Sequence, residues 1–159
     1  MFTIPEAVLI TSIFAMIIAQ VSKFFIDGFV NKKLNESIFI STGGMPSSHS
    51  ALVTALFVSI GMFDLYHDKT LSIGFTISFV IALVVIHDSM GIRLEASKHA
   101  MELNVIKYRL NLIENIDVEE KKLKEKLGHK PKEVLAGVLL GALIGILGFL
   151  LENAILFST

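Results

Sequence analysis

Cysteine is absent from the 159 residues of this chain, and only 18% of the residues are charged. The missing thiols exclude disulfide bonds and thiolate chemistry. Charge is scarce because apolar residues form long runs, which give a hydrophobic fraction of 53% and a mean hydropathy of +0.69. These values are typical of integral membrane proteins. Nucleic-acid binding is not indicated, since the aromatic residues are mostly phenylalanines inside the apolar runs.

Four apolar runs come close to the length of about 20 helical residues that a bilayer core requires. They predict an all-α integral membrane protein, a helical bundle forming one domain over residues 1–159, with spans at about 6–25, 48–63, 70–87 and 132–151. The first run has no basic region before it and no small-residue cleavage site after it, which predicts a retained helix and not a signal peptide. The second run is short and follows irregular sequence, which favours a re-entrant helix lining a polar cavity.

A helical insert is predicted between the third and fourth spans, at about 91–127. Apolar residues at helical spacing predict an amphipathic helix from Leu94 to Asn115. Its stripe, which includes Met101, Val105 and Tyr108, would pack on the membrane surface or against a second copy of the chain. A second short helix is predicted to begin near residue 117.

Small residues recur every four positions in the last span, at Gly137, Gly141 and Gly145. Such a face allows two helices to approach closely within a membrane. The spacing leaves two alternatives open: packing inside one subunit, or a homodimer contact.

The stretch TGGMPSSHS at 42–50 is an unusual start for an apolar helix. Its glycines let backbone N–H groups turn toward a ligand, and Pro46 fits the first turn of a helix. Ser47 or Ser48 can cap the free amides. The positive helix end and a protonatable His49 then favour an anion such as phosphate. The plainer alternative is a capped helix with an exposed histidine.

The order of the four spans predicts that polar residues from distant parts of the chain meet at one membrane face. They are Lys23, His49, Asp88, Arg93, His129 and Glu133. Every lysine and arginine except Lys69 is expected on this side, so the positive-inside rule predicts that it is cytoplasmic and that both termini lie outside. We expect the protein to reside in the plasma membrane.

Two histidines, basic side chains and a helix N-terminus suit phosphoryl transfer. One imidazole can attack phosphorus, and a second can protonate the departing alkoxide. Cations and backbone amides can stabilise the non-bridging oxygens. Glu133 follows His129 by four residues, which puts both on one helical face if the helix begins early enough, and a carboxylate there would fix the imidazole tautomer.

These motifs resemble those of the type 2 phosphatidic acid phosphatase superfamily, which includes the vanadium-dependent haloperoxidases. PSSH at 46–49 is similar to its Pro-Ser-Gly-His motif, and GHKPKEVLAG at 128–137 resembles its third motif. Together with the polar clusters at 88–93 and 99–104, they resemble a small divergent branch of the superfamily over nearly the whole chain.

The resemblance implies a membrane phosphatase that hydrolyses a phosphomonoester or diphosphate lipid through a phospho-histidine, with no metal or other cofactor. It implies that His129 is the nucleophile, that Glu133 orients it and that His49 is the general acid. The residues expected to bind or support the phosphate are Lys23, Gly44, Ser47, Ser48, Arg93, Lys130 and, in support, Asp88.

Several positions depart from the family pattern. Leu123 stands where the third motif has an arginine, Ser48 replaces a glycine, and Glu133 replaces an aspartate. The family's first motif is a lysine followed by six residues and then Arg-Pro. After Lys23, these two positions are Val30 and Asn31. The phosphate-binding cations must then come from other positions.

Three other functions are alternatives to the phosphatase. The first is a non-catalytic protein that binds or transports a lipid phosphate. The second is a metal-dependent hydrolase using His49, His87, Asp88 and His129, a poor geometry because adjacent residues of a regular helix do not point the same way. The third is a haloperoxidase, for which a small membrane protein is an unusual host.

Overall fold

The computed structural model describes residues 3–31, 44–114, 123 and 128–157, without the side chains at 27, 30, 31, 92–94, 111–114, 156 and 157. This part of the chain contains helices and turns and no strand. The helices are α1 (Ile4–Asn31), α2 (Ser48–His67), α3 (Ile73–Met90), α4 (Ile92–Glu114) and α5 (Pro131–Phe157). The predicted all-α class is confirmed.

Four helical stretches are long and apolar enough to cross a membrane. They are Ile4–Ile26, Ser48–His67, Ile73–Leu110, which continues from α3 into α4, and Pro131–Ile155. The integral membrane assignment is therefore confirmed. The second span extends four residues past the predicted end at 63, so the expectation of a short helix is wrong. The 20-residue α2 is long enough to cross a bilayer.

Helix α2 lies at the centre of the bundle, in contact with α1, α3 and α5. Two small clusters of buried residues join α1, α2 and α5. One contains Val8, Phe63 and Phe149, and the other contains Ala15, Ala55 and Ile144. Because lipid tails are as apolar as the side chains, close packing and not the hydrophobic effect favours these helix contacts.

The predicted glycine face of α5 packs directly on the α2 backbone. A Cβ atom added to Gly137 would overlap the carbonyl oxygen of Ser47, and one added to Gly141 would lie 2.9 Å from the Cα of Ala51. The same atom on Gly145 would lie 3.1 Å from the carbonyl oxygen of Ala55. The packing alternative within one subunit is therefore the one that the structure shows, and this face is not open to a second copy.

Helix α4 follows α3 through Gly91, whose N–H donates to the carbonyls of His87 and Asp88. Among the described helices, α4 contacts α3 alone. It covers the predicted helix from Leu94 as far as Glu114, and Asn115 lies outside the described residues. The described members of the predicted stripe are solvent-exposed in this single chain. They are Lys98, Met101, Val105 and Tyr108. Both packing alternatives for the stripe stay open, and the short helix predicted near 117 lies outside the described residues.

Candidate functional site

The glycine-rich stretch ends in a capped helix start. Gly44 has a φ of +98°, a left-handed conformation that favours glycine. Ser47 is the N-cap of α2, and its buried hydroxyl accepts hydrogen bonds from the N–H of Ser50 at 3.4 Å and from the hydroxyl of Ser50 at 3.0 Å. Of the two serines predicted as possible caps, Ser47 is therefore the one that caps α2. Pro46 precedes the cap, through a cis peptide bond with Met45, and does not occupy the first helical turn.

The start of α5 brings His129 and Glu133 together. Pro131 is the first helical residue, which its fixed φ favours. Glu133 is the third, and its Oε2 accepts from the backbone N–H of Lys130 at 3.1 Å, as in one half of a capping box. The same oxygen lies 3.3 Å from Nδ1 of His129. The contact therefore arises from the capping turn, because the helix begins after His129, and not from two positions on one helical face.

His129 is held in a defined orientation. Its backbone N–H donates to the carbonyl of Ser89 at 3.0 Å, and the residue is only 3% exposed. When Nδ1 donates to Glu133, the tautomer leaves a lone pair on Nε2. This Nε2 atom is buried and has no hydrogen-bond partner among the described residues. In that tautomer, the imidazole presents a nitrogen lone pair that no described residue engages.

The helix starts of α2 and α5 are joined to each other and to α1. The N–H of Ser47 donates to the carbonyl of Glu133 at 2.9 Å. Lys23 of α1 is 2% exposed, and its side chain packs against Gly44, where an added Cβ would lie 3.2 Å from its Cδ. The charges of Lys23 and Glu133 attract each other. Three helices therefore contribute to one polar cluster, which contains Lys23, His49, His129 and Glu133.

Burial lowers the pKa of His129 below its usual value of 6.5. The hydrogen bond with Glu133 raises the pKa, whereas the nearby charges of Lys23 and His49 lower it further. The imidazole of His129 is therefore neutral near pH 7, the state in which it can act as a nucleophile.

The other predicted phosphate-binding residues differ in their exposure and in the groups that they have available to bind a phosphate. Ser48 is buried in the first turn of α2, where helix N–H groups lack intrahelical partners. Ser47 has its N–H and hydroxyl oxygen engaged, so its hydroxyl hydrogen is the group that can meet a phosphate. Lys130 is exposed and contributes its backbone N–H to the capping turn. The side chain of Arg93 lies outside the described residues.

Asp88 precedes Ser89 at the end of α3. Together with His87 and several apolar residues it lines an open pocket of about 700 Å³, whose described lining includes neither His129 nor His49. Among the described residues, no group of three or more histidine, aspartate or glutamate side chains could hold a metal ion. The four residues of the metal-hydrolase alternative, His49, His87, Asp88 and His129, therefore form no such group.

Two features of the site had no clear counterpart in the sequence. The carbonyl of Ser89 fixes the backbone of His129, and a backbone acceptor has no side-chain signature. The close approach of Gly137 to Ser47 aligns the two helix starts. Its signal was the small-residue spacing, which indicated a close contact without identifying the partner helix.

Comparison with known proteins adds two matches. A family model described as "Divergent PAP2 family" matches residues 4–144. The "Uncharacterized membrane protein YuiD" of Bacillus subtilis (strain 168) is 39% identical over 145 residues, which cover 86% of this chain and 89% of that protein. No solved structure matches the chain.

Proposed function

This chain belongs to the Divergent PAP2 family, and we propose that it is a membrane phosphatase that hydrolyses a lipid phosphomonoester or diphosphate through a phospho-histidine. One observation carries the proposal: His129 is neutral and fixed by Glu133 through Nδ1, while its buried Nε2 has no partner among the described residues. A buried polar atom is costly when unpaired, which makes this nitrogen a functional candidate.

In the proposed first step, Nε2 of His129 attacks the phosphorus atom, and the bond between phosphorus and the lipid oxygen breaks. His49 donates a proton to that oxygen, so the lipid leaves as an alcohol, or as a monophosphate when the substrate is a diphosphate. Glu133 stabilises the positive charge that develops on the imidazole of His129. The phosphoryl group is then bonded to Nε2.

In the second step, water attacks the phosphoryl group and His49 accepts the proton from this water. The bond between phosphorus and Nε2 breaks, which releases inorganic phosphate and restores His129. During both steps, Lys23 and the first-turn N–H groups of α2 would stabilise the non-bridging oxygens. A cation buried beside the anion is effective because it faces little competition from water.

We place this site at the cytoplasmic face of the plasma membrane, with both termini outside. The support is the order of the basic residues in the sequence, because a four-span topology would put every lysine and arginine except Lys69 on the side of His129. Adding a reporter to each terminus and testing its accessibility in intact cells would decide this orientation.

The test of the activity is phosphate release from a panel of lipid phosphates by the purified protein in detergent. The panel contains phosphatidate, phosphatidylglycerophosphate, and prenyl mono- and diphosphates, and EDTA is present throughout. We expect His49→Ala and His129→Ala to abolish release, while His99→Ala, a matched change at an exposed histidine of α4, leaves it unchanged. Vanadate should inhibit, because it mimics the pentacoordinate phosphorus of the transition state.

Loss of release on adding EDTA, or full activity in His129→Ala, would refute the mechanism. A second function is favoured by Leu123, which stands where the third motif has an arginine and thus supplies no cation. It is a protein that binds or transports a lipid phosphate without hydrolysing it. Saturable lipid-phosphate binding with no turnover of any panel member would support this function.

A further inference from the structure

The side chain of Asn104 in α4 binds both backbone groups of one distant residue. Its Nδ2 donates to the carbonyl of Leu123 at 3.0 Å, and the N–H of Leu123 donates to its Oδ1 at 3.0 Å. Two hydrogen bonds to the same residue fix the direction of the chain as well as its position. The contact joins residues 19 apart in sequence, so it is not part of helix capping or a local turn.

Leu123 precedes His129 by six residues, and both residues are tied to the same pair of helices. Leu123 is bound to α4 through Asn104, and the N–H of His129 is bound to the carbonyl of Ser89 at the end of α3. Gly91 connects α3 directly to α4. Leu123 and His129 are thus each attached to the same pair of connected helices.

We propose that Asn104 is a positioning residue for His129, which acts by holding the Leu123 backbone and thereby setting how the chain delivers the imidazole to the site. The inference rests on the proposed phosphatase function for its kinetic readout. The attachment itself requires only the observed hydrogen bonds. We call the two hydrogen bonds between Asn104 and Leu123 the clamp. The clamp uses the backbone of Leu123 and not its side chain, which is 43% exposed.

Loss of the clamp should lower kcat and leave KM nearly unchanged. A displacement of the nucleophile by about 1 Å can cost about 100-fold in rate, so we expect a fall in kcat between about 10-fold and 100-fold. KM should change less than about threefold, since Lys23 of α1 and the first-turn N–H groups of α2, to which the proposed mechanism assigns phosphate binding, lie outside α4.

A second readout reports on the imidazole directly. Burial lowers the pKa of His129, and a loosened His129 would gain solvent, so its pKa should rise toward 6.5. The charged or titratable groups that act on it are Lys23 of α1, His49 of α2 and Glu133 of α5, and these are unchanged in the variants. A change that merely destabilised the fold would not move this pKa.

The experiment compares two ways of breaking the clamp with a control for each. Asn104→Asp keeps the side-chain size but replaces the donor with an acceptor that faces the Leu123 carbonyl, and Glu102→Ala is the control on an exposed position of α4. Leu123→Pro removes the backbone N–H, and Leu123→Ala retains it. Phosphate release and the histidine NMR titration are measured in detergent for each, with His129→Ala assigning the resonance.

We expect Asn104→Asp and Leu123→Pro to share the kcat loss and the raised pKa, and both controls to match wild type. The double variant should be no worse than either single one, because the two changes remove the same contact. Wild-type kcat and pKa in either clamp variant would overturn the inference, as would an equal loss in Leu123→Ala. If the wild-type protein releases no phosphate, the phosphatase proposal fails, and the NMR titration still decides whether the clamp positions His129.

Discussion

Replacing Gly137 with alanine would place a methyl group against the N-cap of α2. The added Cβ would overlap the carbonyl oxygen of Ser47 and lie 3.1 Å from the Cβ of Ser50. Both neighbours are at the start of a helix, and the closest atom belongs to the backbone, so no flexible side chain can move aside. The N-terminal ends of α2 and α5, which contribute to the polar cluster, must therefore move apart.

The separation needed at Ser47 is about 1 Å before the contact becomes ordinary. A shift of that size would break the hydrogen bond from the Ser47 N–H to the Glu133 carbonyl, now 2.9 Å. It would also move His49 relative to His129. We expect a loss of about 1–3 kcal/mol of stability from overpacking and a fall of about 100-fold in phosphate release from misplacement of the reacting groups.

The matched control is Gly145→Ala, the same substitution two turns further along α5. Its nearest contacts would be 3.1 Å, to the carbonyl oxygen of Ala55 and Cγ1 of Val58, so shifts of a few tenths of an ångström suffice. Both variants gain the same helix propensity, about 1 kcal/mol, which therefore cancels in the comparison.

The assay measures melting temperature in detergent and phosphate release at saturating substrate for both variants. Gly137→Ala should be the less stable and by far the less active, and Gly145→Ala should stay within about threefold of wild-type activity. Equal melting temperatures would refute the packing argument. A destabilised Gly137→Ala with wild-type kcat would instead refute the claim that the two helix starts form the site.

Three further predictions concern the same cluster. Because burial lowers the pKa of His129, the imidazole is neutral at pH 7 and kcat/KM should fall as the pH drops through a pKa below 6.5. Glu133→Gln should move this fall in kcat/KM to lower pH, because the hydrogen bond with Glu133 raises the pKa of His129. Lys23→Met should move it to higher pH, because the charge of Lys23 lowers that pKa. Shifts of the two pH profiles in the same direction would contradict these electrostatic effects. Ser47→Ala should cost about 1 kcal/mol of stability by removing the cap on Ser50, and an unchanged melting temperature would show that the cap contributes little.

Much of this arrangement could be predicted from local pattern. Long apolar runs predict membrane helices, because a bilayer offers no partner for exposed backbone groups. The alternation of spans then determines which helix ends share a membrane face. On that basis six residues are expected at one face: Lys23, His49, Asp88, Arg93, His129 and Glu133. The structure brings Lys23, His49, His129 and Glu133 into one cluster.

The details of contact required the tertiary structure. Glu133 was expected to meet His129 across one helical turn, but helix α5 starts two residues later than His129 and a capping turn makes the contact. A helix boundary depends on which end groups find partners, and a difference of two residues changes the geometry. Likewise, α2 continues to His67, four residues past the end of its apolar run at 63, and its contacts with three other helices were not evident from that run.

The sequence by itself determined the membrane class, the number of spans and the end of the bundle where the polar residues gather, because these depend on composition and on the regular rise of a helix. Tertiary structure alone decided that the glycines of α5 pack on α2, that Ser89 holds the backbone of His129 and that Asn104 holds Leu123. The physical reason is that these contacts end on backbone atoms, which every residue carries. Only the spatial path of the chain selects which of them meet.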